Sequence, residues 1–421
     1  MSRNEATGHV LKQPASVWAI TFATAVSFVG IGLVSPILPT IANALDATAF
    51  ESMLLFTSYL FVTACTMFFA GVISARIGIR TTLVTGLLII VVFASMAGLS
   101  DTIGQVIGLR AGWGFGNALF VTMALAGIVG ASTGGSASAI ILYEAAVGFG
   151  MALGPLVGGT LGTISWRAPF LGTAVLMTIA ATTVLVFVKP LPRTAAAPLT
   201  AGFRALARKP LLLWSIASFM GNFTIVCLLA YAPHAVATAA QAANVEHTSL
   251  MLGSVFFGWG TALAIFSLTV PAPLLRLLGL VPAIVLTLVS ICLGFLLLAV
   301  NTENLVVTIV GIIVLGGVQG VANTLLAEAA LNATDLPRHI SSSAFSAFRF
   351  FGGAIFPLVS APCIALWGAS GPFWASLLAP GLAMIALVIG QRVLPSVQRQ
   401  PGRLLRGVRR ARQTLTRPPS P

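Results

Sequence analysis

Long apolar stretches broken by short polar clusters set the pattern of this chain. Runs free of Asp, Glu, Lys and Arg extend over Ser16–Leu45, Ser52–Ala75, Thr81–Ser100, Ala111–Tyr143, Ala145–Trp166, Ala168–Val188, Pro210–Val245, His247–Leu275, Leu277–Thr302, Asn304–Ala327 and Phe350–Gln391. Each is long enough for a bilayer crossing of about 20 residues, and the longest hold parts of two. Divided at turn clusters such as Gly130–Ser136 and Trp367–Pro372, they predict twelve spans, near 16–41, 52–75, 80–100, 102–129, 138–164, 168–188, 211–234, 249–271, 278–300, 304–329, 342–366 and 372–393. Backbone groups in lipid must hydrogen-bond within their own segment, so spans this apolar are helices, and the fold class is an all-α membrane protein.

Composition agrees with that pattern. Hydrophobic residues make up 57% of the chain and charged residues 7%, against about 25% charged in soluble domains. With the N-terminus in the cytoplasm, 19 of the 22 Lys and Arg fall on inner segments, while Asp46, Glu51, Asp101, Glu246 and Glu303 fall on outer loops. That asymmetry predicts a multi-pass protein of the inner membrane with both termini cytoplasmic. The net charge of +13 raises a nucleic-acid reading, but its dispersal over membrane-facing loops and the tail argues against one. The tail, 395–421, suits either a segment lying on anionic membrane lipids or a plain topology determinant. Cys65, Cys227, Cys292 and Cys363 lie far apart inside spans, so no disulfide or metal site is expected.

The basic segment between Lys189 and Pro210 is the longest polar interruption before the tail, and it divides six spans from six. Residues 1–189 and 210–394 are thereby expected to be two bundles, with 190–209 a cytoplasmic linker. The halves also match in sequence: "GFGMALGPLV" (148–157) against "FFGGAIFPLV" (350–359) agrees at Phe149/Phe351, Gly150/Gly352, Ala152/Ala354, Pro155/Pro357, Leu156/Leu358 and Val157/Val359. Both stretches belong to the fifth span of their half. A parallel six-plus-six repeat describes one transporter architecture, with its substrate site between the halves near mid-membrane.

On these residues the chain resembles the major facilitator superfamily, most of all its 12-helix drug:proton antiporters. "GVISARIGIR" (71–80) is similar to the family's G-x-L-a-D-R-x-G-R-K loop, with Arg76 and Arg80 facing anionic headgroups and gating; Ala75 stands where the family has Asp, so its charge latch is missing or placed elsewhere. "LRAGWGFGNA" (109–118) resembles R-x-x-x-G-x-G, whose buried arginine faces the translocation cavity. Arg110 lies roughly eight residues, or about 12 Å, below the outer surface, where a charge needs a wet interior or a partner. "GFGMALGPLVGG" (148–159) resembles the antiporter motif g-x-x-x-G-P-x-x-G-G, which in the family marks exporters. Gly150, Gly154 and Gly158 recur every four residues as one smooth face, and Pro155 can bend the helix, which suits a gating element at the interface between halves. Span 1 ends in Pro36, Leu38 and Pro39 as the family's P-x-L-P. It lacks the acid that many drug antiporters carry there, which leaves cations without their usual anchor.

Proton coupling therefore falls to Glu144, Glu328 or both. Glu144 is the only acid between Asp101 and Glu246, near the inner edge of the hydrocarbon, where a carboxyl short of water can trade its charge for a proton. Arg110 would tune its field. An ion pair bracing the cytoplasmic closure and a simply hydrated Glu are the structural alternatives. Glu328 and Arg349 come to similar depth across a hairpin and predict a salt bridge, as a gating latch or a permanent brace. His234, after Pro233, reads as a hydrogen-bonded surface residue. The resemblance places Trp113, Asn117, Asn222, Phe223, Gln319 and Asn323 around the central cavity as substrate-binding candidates.

The reading that follows is a proton-coupled exporter of a small amphipathic compound, a monomer without cofactor or metal. An importer of sugars or organic acids and a lipid or glycolipid flippase stand as alternatives. An enzyme is not expected: the chain carries no HExxH, no nucleophile paired with a base and no phosphate loop.

Overall fold

The computed structural model describes residues 13–132, 135–190, 200–246, 248–334 and 338–390; the basic tail and most of the linker between the halves lie outside the described residues. Helices account for every crossing segment. Spans 1 to 6 are Ala15–Ala44, Ala49–Ile77, Ile79–Gly98, Ile103–Ala131, Gly135–Gly162 and Ala168–Phe187. Spans 7 to 12 are Lys209–Ala242, Ser249–Thr269, Leu280–Val300, Leu305–Asn332, Arg338–Trp367 and Gly371–Gly390.

Two spans depart from regular α-geometry, both at proline. Span 1 tightens into a 3₁₀ turn at Ser35–Ile37, which contains Pro36 and precedes Pro39. Span 7 runs to Ala242, eight residues beyond its expected end at 234. It passes Pro233 by widening into a π-turn at Cys227–Tyr231, which re-spaces the hydrogen-bond ladder ahead of the residue that cannot donate. Two short helices have no counterpart among the predicted spans: Ala201–Leu206 in the linker and Pro271–Leu278 after span 8.

The two halves repeat their packing. Spans 1/5, 2/4, 3/4 and 3/6 pack together in the first half, and 7/11, 8/10, 9/10 and 9/12 in the second. Two seams join the halves, spans 2/11 and spans 5/8. Because lipid is as apolar as the side chains, close backbone approach through small residues holds such a bundle together. Matched glycines do this work: Gly150 meets the Ala25 carbonyl of span 1, and Gly352 meets the Phe219 carbonyl of span 7.

A second matched pair turns the chain. Gly78, between spans 2 and 3, has φ +89° and ψ 153°; Gly279, between spans 8 and 9, has φ +81° and ψ 175°. Both conformations belong to a region nearly restricted to glycine, where a side chain costs about 1–3 kcal/mol. Nothing lies within 4 Å of where a Cβ would stand at either position. Gly78→Ala and Gly279→Ala are therefore expected to lower the thermal unfolding midpoint of the purified protein through backbone strain alone, without a steric clash.

Candidate functional site

The end of the bundle that carries the 45–48 and 243–248 loops, the loop end, is tied shut across both seams. Thr40 Oγ1 and Ser249 Oγ stand 3.0 Å apart between spans 1 and 8. Ser52 Oγ bonds His234 Nε2 at 2.9 Å between spans 2 and 7, and Ser360 Oγ reaches Met53 Sδ at 3.9 Å between spans 11 and 2. His234 is thus a partnered residue of the closure. On the same end, Arg167 pairs with Asp101 at 2.8 Å, the only salt bridge among the described residues. It is exposed and contributes little.

At the other end, where the linker lies, Arg349 of span 11 occupies the seam. Its Nη1 donates to Asn323 Oδ1 of span 10 at 2.6 Å. Its charge acts on Glu144 and Tyr143 of span 5, in the opposite half. The expected salt bridge between Arg349 and Glu328 does not form: Glu328 is half-buried and has no ionic partner among the described residues. Asn323 takes the guanidinium instead, because it sits five residues, well over one turn, closer to the middle of span 10. Glu144 itself is exposed on the surface of span 5.

The glycine face of span 5 approaches a neighbouring backbone, that of span 1. Gly154 and Gly158 press on Val29, Gly32 and Leu33 of span 1, within one half, and not on the partner half. The seam with span 8 is made by the adjoining stripe: Gly159 against Gly253, and Met151 and Ala152 against Gly260. Pro155 touches both, with its ring on Gly32 and its carbonyl facing Gly253. Arg80 donates to the Leu185 carbonyl at the end of span 6, a tie within the first half, while Arg76 is exposed.

In the first half, Arg110 is wholly enclosed between spans 2 and 4. Its Cζ lies 4.4 Å from the ring centre of Tyr59 and 4.5 Å from that of Trp113. Cation–π contact offsets part of the desolvation. Yet Nε, Nη1 and Nη2 of Arg110, Nε1 of Trp113 and the Tyr59 hydroxyl all lack a hydrogen-bond partner among the described residues. Two turns further along span 4, Asn117 accepts from Ser27 of span 1 at 2.8 Å. Tyr59 was not legible as a site residue, since nothing in its own segment marks it; only the fold brings it to Arg110.

In the second half, Gln319 accepts from Trp259 Nε1 at 3.3 Å and donates to Thr224 at 3.2 Å. Asn222, Gln319 and Asn323 line one cavity of about 10 Å³, room for about one water molecule. Phe223 stands beside them, edge-on to Phe356 at 5.1 Å. The six substrate-binding candidates thus divide into two polar clusters, one within each half.

Two repeated six-span sets, meeting at two seams and lined by buried polar side chains, define a multi-pass membrane carrier of the alternating-access type. The chain belongs to the Major Facilitator Superfamily, whose family model matches residues 20–357. It is 43% identical over 396 residues to the multidrug efflux protein YfmO of Bacillus subtilis (strain 168), covering 94% of this chain and 98% of that one. It is 27% identical over 301 residues to the class C tetracycline resistance protein of Escherichia coli, covering 66% and 71% respectively. Among solved structures, it resembles a bacterial homologue of the human lysosomal transporter Spinster (TM-score 0.72, 14% identity, 92% and 98% of the two chains). It also resembles the nucleoside transporter NupG (TM-score 0.73, 13% identity, 90% and 99%). At these identities the structural likenesses establish the fold alone.

Proposed function

We propose that this chain is a proton-coupled antiporter of the inner membrane that exports small amphipathic compounds as a monomer, with its linker end in the cytoplasm. The observation that carries export is the near full-length likeness to a multidrug efflux protein. Residues 1–189 and 210–394 act as the two rocking bodies, joined by 190–209. The excess of Lys and Arg on the segments at the linker end supports the orientation.

Glu144 and Arg349 supply the coupling. With the loop end closed, as in this conformation, Glu144 is open to cytoplasmic water and releases its proton there. The charged carboxylate then attracts Arg349 across the seam, favouring closure of the linker end and opening of the loop end toward the outside. A proton arriving from outside neutralises Glu144, frees Arg349 and lets the bodies rock back. Each cycle carries a proton inward as substrate leaves, and one charge crossing the membrane supplies about 2.3 kcal/mol per 100 mV. Glu328, half-buried and without an ionic partner among the described residues, is the second candidate for the coupled proton.

The test is substrate accumulation in everted membrane vesicles with an imposed pH gradient. Wild type is expected to accumulate a fluorescent amphipathic drug when the vesicle interior is acid and to lose it when the gradient is collapsed. Glu144→Gln is expected to be indifferent to the gradient. Equal response by both proteins would refute the coupling role.

A further inference from the structure

Among the described residues the first half contains no counter-ion for Arg110. Its other described acids are Asp46, Glu51 and Asp101 at the loop end and Glu144 at the linker end. Glu51 caps the start of span 2 through Thr48, Asp101 is paired with Arg167, and Glu144 lies in the field of Arg349. The five unpartnered groups around Arg110 share one chemical character. Arginine and the indole N–H can only donate, and the Tyr59 hydroxyl has its proton to give. A buried, cationic cluster in which all five groups have a proton to donate is complementary to an anion, and the planar fork of arginine fits a carboxylate in two parallel hydrogen bonds. Lysine in this place would offer a point charge without that geometry.

We propose that Arg110, Tyr59 and Trp113 form a binding site for a carboxylate attached to an apolar or aromatic body, and that this is the anionic end of the compound the carrier exports. The proposal rests on the export reading for its substrate role, while the site itself stands on the cluster. The two rings beside the guanidinium accept the apolar body, and the absence of an acid in span 1 removes the anchor a cation would need. The cluster is enclosed between spans 2 and 4 in this conformation, so binding requires these two spans of the first half to part.

Binding at equilibrium tests this without requiring transport. Full-length protein in nanodiscs is incubated with radiolabelled benzoate and competed with unlabelled benzoate, benzamide and chloride. Wild type is expected to bind benzoate, with benzamide at least about tenfold weaker, since one lost charged hydrogen bond has about that effect. Chloride should fail to displace it at equal concentration. Arg110→Lys should bind about tenfold less tightly by the same measure. Trp113→Phe, which keeps a ring and loses the N–H, should weaken binding less. These two variants keep the test informative if Arg110→Gln does not fold. Equal affinity for benzoate and benzamide, no benzoate binding at all, displacement by equimolar chloride, or an Arg110→Lys variant matching wild type would each overturn the site. Glu144→Gln is expected to retain benzoate binding. If it does so yet still responds to the pH gradient in vesicles, the coupling reading fails and the carboxylate site stands.

Discussion

Gly154→Val is expected to prevent stable folding, whereas Gly71→Ala leaves the unfolding midpoint at or above that of wild type. A Cβ at 154 would stand 2.7 Å from the Val29 carbonyl oxygen and 3.0 Å from Gly32 Cα. Both are backbone atoms of span 1, so no rotamer change relieves the contact, and the helices themselves must separate. Replacing glycine inside a helix recovers about 1 kcal/mol of propensity, which partly masks the clash in an alanine variant. Valine adds two methyl groups to the same gap, and overpacking of that kind costs about 1–3 kcal/mol or more. Separation at 154 would also pull Gly150 from Ala25 and Gly158 from Leu33, since all three lie on one face. Gly71, by contrast, has nothing within 4 Å of its would-be Cβ. Thermal unfolding of the purified full chain, together with the yield of monodisperse protein in detergent, checks the pair. A normal midpoint for Gly154→Val would mean that span 5 does not pack on span 1 as described.

The same stripe shows what the sequence could and could not convey. Spacing of four residues marks Gly150, Gly154 and Gly158 as a helix face that must meet another backbone, and it does. Spacing carries no information about which backbone. The neighbouring stripe through Gly159, which meets Gly253 across the halves, looks equally small in sequence, and only the tertiary arrangement separates the two roles. The repeat was legible at a finer level, because Gly150 and Gly352 align in sequence and also perform the same packing on spans 1 and 7. Span positions followed from hydropathy because the bilayer imposes a length, but the end of span 7 did not. Pro233 reads as a terminator, and the π-turn that carries the helix past it has no composition of its own.

Charged residues followed a similar division. That Arg110 is buried could be inferred from its place in span 4, and Trp113, three residues on along the same helix, lies within its reach there, whereas Tyr59 comes from span 2. Glu328 and Arg349 appeared paired because a hairpin brings their depths together. Depth is one coordinate of three, and Asn323, on the side of span 10 that faces span 11, is the residue Arg349 actually meets.

Arg349→Glu is expected to abolish gradient-driven transport, and the double exchange Glu144→Arg with Arg349→Glu to restore part of it. In the single variant two carboxylates face each other across the seam, and like charges oppose closure of the linker end. A shift of about 5.5 kcal/mol carries a 1:99 population to 99:1; one charge reversal at an exposed carboxylate supplies a fraction of that, which biases the carrier toward the state with its linker end open. Restoration in the exchanged pair should be partial, because the carboxylate introduced on span 11 would sit beside the Asn323 carbonyl oxygen that now accepts from the guanidinium, and the amide would have to turn to donate. The exchanged pair should also lose the stated proton cycle's polarity of access, since the carboxylate then belongs to span 11 and is no longer the exposed partner. Transport in everted vesicles measures the first expectation. Reactivity of a single cysteine introduced at the linker end measures the second, being highest in Arg349→Glu and lower in the exchanged pair. Equal cysteine reactivity in wild type, single and double variants would show that the charges of Glu144 and Arg349 do not bias which end of the carrier is open.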